Sequence, residues 1–472
     1  MNRTSFKIIS VVLLLVFPAP LALSQRRRSS EKSTNTATEQ QEISLLSEAA
    51  SLLQAGKLDE AEPLVRRVLA IAPSNADAHN LLGVILDQRG QPKPAESEYL
   101  KALRLNPRAV SARANLGVLL ARTGRSDEAM QTFENLLRQV PDQQEATLNL
   151  GLLYAARGDF TRAVPLLQSA RAYQPNNVTV LTQLGIALYH LQRIEEASEV
   201  LDYAAKLANV SADLNYALGL VASARNDGEG AVYYWQRALL QREKFAAATF
   251  MIGEELRKRK AYDGAVEYYE RAIEQDPAQL VYYARLGGTF MLLVRYDRAL
   301  EIFQRAAQRF PKSAEAQYFV GIAARGNGNF DIAEAALRKS LALKANNVDA
   351  LAQLGFVIGE SDHNAEAEKL LRRAVATDPR HFYATYNLGR LLVRAKRFEE
   401  AIRVLETAAQ LRPRDASVHY QLFLAYSRLK RTEDASRELA AFKQYDLESK
   451  SHPQNDEHLE DTLPRPASEK PD

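Results

Sequence analysis

The sequence predicts an all-α protein, a solenoid of twelve stacked helical hairpins between a short leader and a tail. Three observations carry this. Residues 42–449 repeat with a period of 34 and no insertion, alanine fills the twentieth place of every repeat, and an apolar residue followed by glycine fills places seven and eight of ten consecutive repeats. The composition agrees: of 472 residues 46% are apolar and 25% charged, enough to bury a core. Lys plus Arg number 61 and Asp plus Glu 58, a net charge of +3 that argues against a nucleic-acid footprint. There is no cysteine, which excludes disulfides, thiol nucleophiles, cysteine zinc sites and a lipid-modified cysteine anchor.

In chain order, Arg3 and Lys7 precede an apolar run from Ile8 to Phe17, followed by Pro18, Pro20 and the small-residue pattern Ala22-Leu23-Ser24. This is the pattern of a secretory signal peptide over residues 1–24, cut after Ser24. Ten residues before a proline fall short of the about 20 that span a bilayer. Arg26, Arg27 and Arg28, just past the cut, argue for the opposite outcome, a membrane anchor through residues 8–23. The expected localisation is secreted or periplasmic, with membrane anchoring as the alternative. Residues 25–41 hold no large apolar side chain and are expected to form a flexible leader.

The repeats start at residues 42, 76, 110, 144, 178, 212, 246, 280, 314, 348, 382 and 416. Apolar residues at places 7 and 11, such as Leu116 with Leu120, lie one turn apart and make a first amphipathic helix. Places 20, 24 and 27, as in Ala129, Phe133 and Leu136, make a second. Between them Gly56, Gly90, Gly124, Gly158 and Gly328 mark a turn that needs positive φ. Small residues at places 8 and 20 let the two helices approach. Proline at place 32 of eight repeats, Pro73 and Pro413 among them, stops the second helix. Asn209, Glu243 and Ala345 stand there instead in repeats five, six and nine, where looser joints are expected. Trp235 occupies a large apolar place and is read as core. Residues 450–472, with four prolines and many charges, are expected to be a disordered tail.

This spacing resembles the tetratricopeptide repeat along the whole of residues 42–449. The resemblance implies a right-handed superhelix whose first helices line a concave groove, and a protein as partner. End repeats depart from it, with Glu48-Ala49 and Leu422-Phe423 at the apolar–glycine pair. Members of the family that clamp a chaperone's terminal carboxylate carry lysine at place 5 and asparagine at place 9. No repeat here has lysine or arginine at place 5 or asparagine at place 9, so that clamp is missing. Members that glycosylate protein hydroxyls carry an asparagine ladder at place 6, where only Asn115, Asn149 and Asn387 stand in this chain.

At 100 degrees per residue, places 2, 5, 9, 12 and 13 share the side of the first helix opposite its packed face. Place 5 turns aromatic along the chain, with Tyr216, Phe250, Tyr318, Tyr386 and Tyr420. Phe356 and Tyr383 extend the stripe, and Arg257, Arg325, Arg390, Arg394 and Arg428 lie along it. Rings and guanidinium groups dominate binding hot spots. The candidate partner-binding residues are therefore Tyr216, Phe250, Tyr318, Phe356, Tyr383, Tyr386, Arg390 and Tyr420; the competing reading packs the rings against neighbouring hairpins as core.

Nothing in the chain assembles chemistry. The seven histidines include no pair at the four-residue spacing of a metal-binding helix. Gly326-Asn327-Gly328 falls in an inter-helix turn with no strand before it, which reads as a turn and not a phosphate loop. No catalytic residue, metal or cofactor is expected. Asn177 and Asn209 are glycosylation acceptors only on a eukaryotic secretory route. The expected function is an exported, non-catalytic protein–protein interaction scaffold that binds an extended peptide or a helix. The alternative is a structural component of a polysaccharide-export or cell-envelope assembly machine.

Overall fold

A computed structural model describes residues 35–207, 210–361 and 363–451. The expected signal peptide, most of the leader, Asn209 and the tail beyond Ser451 lie outside the described residues. Within them every regular element is an α-helix, and the helices pair into twelve hairpins.

The first three hairpins are α1 (Asn35–Gln54) with α2 (Leu58–Ile71), α3 (Ala76–Gln88) with α4 (Pro92–Leu105), and α5 (Val110–Arg122) with α6 (Ser126–Gln139). Then come α7 (Gln144–Arg157) with α8 (Phe160–Tyr173), α9 (Val178–His190) with α10 (Ile194–Leu207), and α11 (Ala212–Ala224) with α12 (Gly228–Gln241). The next three are α13 (Ala246–Lys258) with α14 (Tyr262–Gln275), α15 (Leu280–Leu292) with α16 (Tyr296–Arg309), and α17 (Ala314–Gly326) with α18 (Phe330–Leu343). The last are α19 (Val348–Glu360) with α20 (Asn364–Thr377), α21 (Phe382–Arg394) with α22 (Phe398–Leu411), and α23 (Ala416–Arg428) with α24 (Thr432–Ser451). One expectation is corrected here: the leader is helical from Asn35 onward. The stretch Asn35–Gln41 has no glycine or proline and carries helix-compatible Ala, Glu and Gln, so it continues the first helix by backbone hydrogen bonding, with Glu39, Gln40 and Gln41 exposed.

The hairpin ends have local causes. The residue at place 34 caps the first helix of the next hairpin. The side chains of Asn75, Asn177, Ser313 and Asn347 each accept the N–H of the residue three further on. Place 15 is left-handed at each of the eleven repeats where that residue is described. Glycine fills it in five, with φ of +73° to +83°, and Gln192, Asn226, Lys260, Val294, Lys396 and Lys430 adopt φ of 57° to 61° in the others.

Inside each hairpin the alanine at place 20 is buried, and in the ten hairpins with glycine at place 8 that glycine lies against the large residue at place 24 of the second helix. A β-carbon on Gly83 would meet the Tyr99 ring at 2.6 Å, and one on Gly117 the Phe133 ring at 2.7 Å. Backbones thus approach where one side chain is absent, and the opposite ring fills the space.

The twelve hairpins form two compact halves that divide between Gln241 and Arg242. The division falls at the joint between hairpins six and seven, where Glu243 replaces proline. In each half every hairpin packs chiefly on its neighbours. Successive first helices approach one another (α3 to α5 to α7, and α17 to α19 to α21), whereas successive second helices stay farther apart. The first helices therefore make the shorter, inner arc of each stack, and their outward face is concave.

Candidate functional site

Two of the eight expected groove residues prove to be core, which corrects the sequence reading. Phe250 is 6% exposed, stacked on Tyr282 at 4.6 Å and 5.5 Å from Tyr269. Tyr318 is 5% exposed, and burial raises its phenol far above the ordinary range. In both cases the next hairpin places a buried alanine at the same register, Ala284 and Ala352, which leaves room for the preceding ring. That large-then-small alternation was legible in the sequence and is the signal that separates these rings from the rest.

Tyr216, in the amino-terminal half, is half-buried, and its carbonyl accepts the indole N–H of Trp235 at 3.2 Å. Trp235 is fully buried, as core.

The other five candidates lie on the first helices of hairpins ten to twelve. Phe356 on α19 is half-buried, with the Arg390 guanidinium 4.5 Å and the Arg325 guanidinium 5.3 Å from its ring centre. Arg390 pairs with Glu360 at 2.6 Å, and Glu360 also receives Arg394 at 3.3 Å. Arg325 donates to the side-chain oxygen of Gln353 at 2.7 Å, and burial lowers its pKa. On α21, Tyr386 stacks parallel to Phe382 at 5.9 Å, and burial raises its phenol. Arg412 sits 5.0 Å from the Tyr383 ring and donates to its hydroxyl at 3.4 Å. Tyr420 on α23 is 40% exposed and leans on Phe442 at 5.2 Å. This arrangement offers ring faces and guanidinium groups to a partner from a rigid helical layer.

The remaining polar features serve packing. His79 and His419 occupy equivalent places and each binds a glutamate, Glu98 at 2.6 Å and Glu438 at 2.7 Å, while the other ring nitrogen meets a proline carbonyl. His190 stacks on Phe160 at 4.3 Å, and His381 caps α21. The place-6 amides of Asn115 and Asn149 are fully buried between helices and do not line the groove. Asn177 spends its side chain capping α9 and donating to Gln174. Sequence reasoning missed one group: Arg285 and Glu254, 3% and 4% exposed, paired at 3.2 Å, with the Tyr269 hydroxyl donating to the same carboxylate. Arg257, placed on the groove stripe by sequence, points a nearly buried guanidinium at Glu254. Among the described residues no three His, Asp or Glu side chains gather as a metal site, and no helix is long and apolar enough to cross a membrane.

Comparison with known proteins matches this geometry. Two tetratricopeptide repeat models match, one at residues 52–100 and 154–222 and the other at 88–144. A model of the C-terminal domain of cilia and flagella-associated protein 70 matches residues 236–458. The chain belongs to the tetratricopeptide repeat family. Among solved structures, this tetratricopeptide repeat protein is similar to yeast Tom70, at 17% identity over 90% of this chain and 99% of that one, with a TM-score of 0.39. It is similar also to the Cut9–Hcn1 hetero-tetramer of the APC/C, at 16% identity over 93% and 98%, TM-score 0.43. A third is PilF of Pseudomonas aeruginosa, at 23% over 44% and 94%, TM-score 0.40. Scores this low carry no argument about function. No curated protein matches the chain. A tetratricopeptide repeat stack is an interaction scaffold, and its general kind of partner is another protein.

Proposed function

We propose that this tetratricopeptide repeat protein is an exported, non-catalytic scaffold that holds an extended peptide or a helix of another protein in the concave groove of its carboxyl-terminal half. The observation that carries the reading is the strip of Phe356, Tyr383, Tyr386, Arg390 and Tyr420, half-buried to exposed along the inner layer of hairpins ten to twelve. Half-buried rings on a fixed helical layer lose little entropy when a partner covers them. Export rests on the signal-peptide pattern of residues 1–24 alone.

Replacing Tyr386 and Tyr420 together by alanine tests the groove. Captured partners should be lost while helicity stays unchanged; undiminished capture overturns the assignment. The mass of the mature protein tests export: removal of residues 1–24 supports it, and an intact amino terminus on a soluble intracellular chain refutes it.

A further inference from the structure

The charged groups around Phe356 are not balanced. Arg390 has a carboxylate partner in Glu360. Arg325, on the other flank of the ring, has none within ion-pair reach among the described residues; its guanidinium holds the Gln353 amide oxygen and lies over Phe356. One donated hydrogen bond leaves most of the five N–H donors of a guanidinium open. Arg325 and Arg390 also repel one another, and both that repulsion and burial act against the charge of Arg325. A partly desolvated cation held by packing without a counter-charge is costly, and the cost is relieved by an anion that arrives from outside.

The position of these groups suits such an anion. Arg325 stands at place 12 of hairpin nine, Phe356 at place 9 of hairpin ten and Arg390 at place 9 of hairpin eleven, so three successive hairpins converge on one spot of the inner layer. The hydrogen bond to Gln353 orients the Arg325 fork, and both guanidinium groups lie against the Phe356 ring. Planar forks of this kind match a carboxylate in a bidentate fashion.

The geometry points to Arg325, flanked by Phe356 and Arg390, as the docking point for the carboxylate of an acidic side chain on the partner peptide. This rests on the groove reading above and deepens it: the occupant of hairpins nine to eleven carries Asp or Glu next to the apolar residues that cover the rings. Charge complementarity selects that occupant over a neutral or basic one.

The test measures fluorescence anisotropy of the full chain with a labelled peptide of Leu-Ser-Glu repeats and with its Leu-Ser-Gln counterpart. The acidic peptide should bind about tenfold tighter than the neutral one, with a preference that shrinks as salt is raised. Arg325→Gln should abolish the preference and Arg325→Lys restore part of it, with circular dichroism confirming that both stay helical. Equal binding of the two peptides to the unmodified chain overturns the proposal without any variant, as does a preference that survives in Arg325→Gln. Tyr386→Ala, measured alongside, separates the two readings. If it weakens both peptides while Arg325→Gln changes nothing, the groove stands and the acid site falls. If it changes neither peptide, the groove assignment falls by itself.

Discussion

The Trp235 indole lies where the β-carbon of any residue at position 219 other than glycine would have to sit. The same relation links place 8 to place 24 in most hairpins, so the helix spacing depends on one missing side chain per hairpin. Gly219→Ala should therefore push the indole off its site and loosen its hydrogen bond to the Tyr216 carbonyl. The expected loss is about 1–3 kcal/mol of stability, read by urea unfolding and by the shift in tryptophan emission of the only tryptophan in the chain. An unchanged midpoint would mean that α11 and α12 do not pack at the described distance.

Val294 presents the opposite case. It holds φ at 59° at a turn where five hairpins use glycine, and its side chain is 66% exposed, so it pays strain without packing gain. Val294→Gly should stabilise the carboxyl-terminal half by about 1 kcal/mol. A lowered thermal midpoint would contradict the left-handed assignment.

His190 gives the amino-terminal half a pH dependence. Burial, against the Phe160 ring, lowers its pKa from 6.5 to about 4. Between those values the unfolded chain binds a proton that the folded chain refuses, so stability is full above pH 6.5 and falls as pH drops toward 4. The most this can contribute is about 3 kcal/mol. His190→Phe should flatten that slope in denaturation curves taken across the window; an unaltered slope would place His190 in solvent.

The buried pair of Arg285 and Glu254 is a liability when split. Glu254→Leu strands a guanidinium that is 3% exposed and should cost ~3–5 kcal/mol, whereas the double change of Glu254 and Arg285 to apolar residues should recover most of it. A double variant as unstable as the single would show that the pair is not the coupled unit the distances describe.

The fold was legible in the sequence because each repeated place answers to one physical need. Alanine at place 20 and glycine at place 8 let the helices approach and a left-handed residue at place 15 makes the turn, while the second helix ends at place 30 with proline at place 32 and equally without it, as in α12 and α18. The turn was only half legible: Gly56 and Gly328 announce it, but Lys396 and Val294 adopt the same conformation under tertiary compulsion. The candidate groove was legible in its location, whereas its membership shows only when place 5 is compared between successive repeats. Helical periodicity gives the angle of Tyr318 about its own axis and says nothing of the space that Ala352 leaves beside it one hairpin later. The Arg285–Glu254 pair was illegible for a related reason, since its partners come from different hairpins and from different places of the repeat, 6 and 9.

The most direct test of the scaffold account is photo-crosslinking from inside and outside the groove. A benzoylphenylalanine at Tyr386, on the inner layer, should crosslink a bound protein partner, and the same group at the exposed Thr407 on α22 should not. Crosslinking from Thr407 with none from Tyr386 would contradict it and place the partner on the other face of the stack.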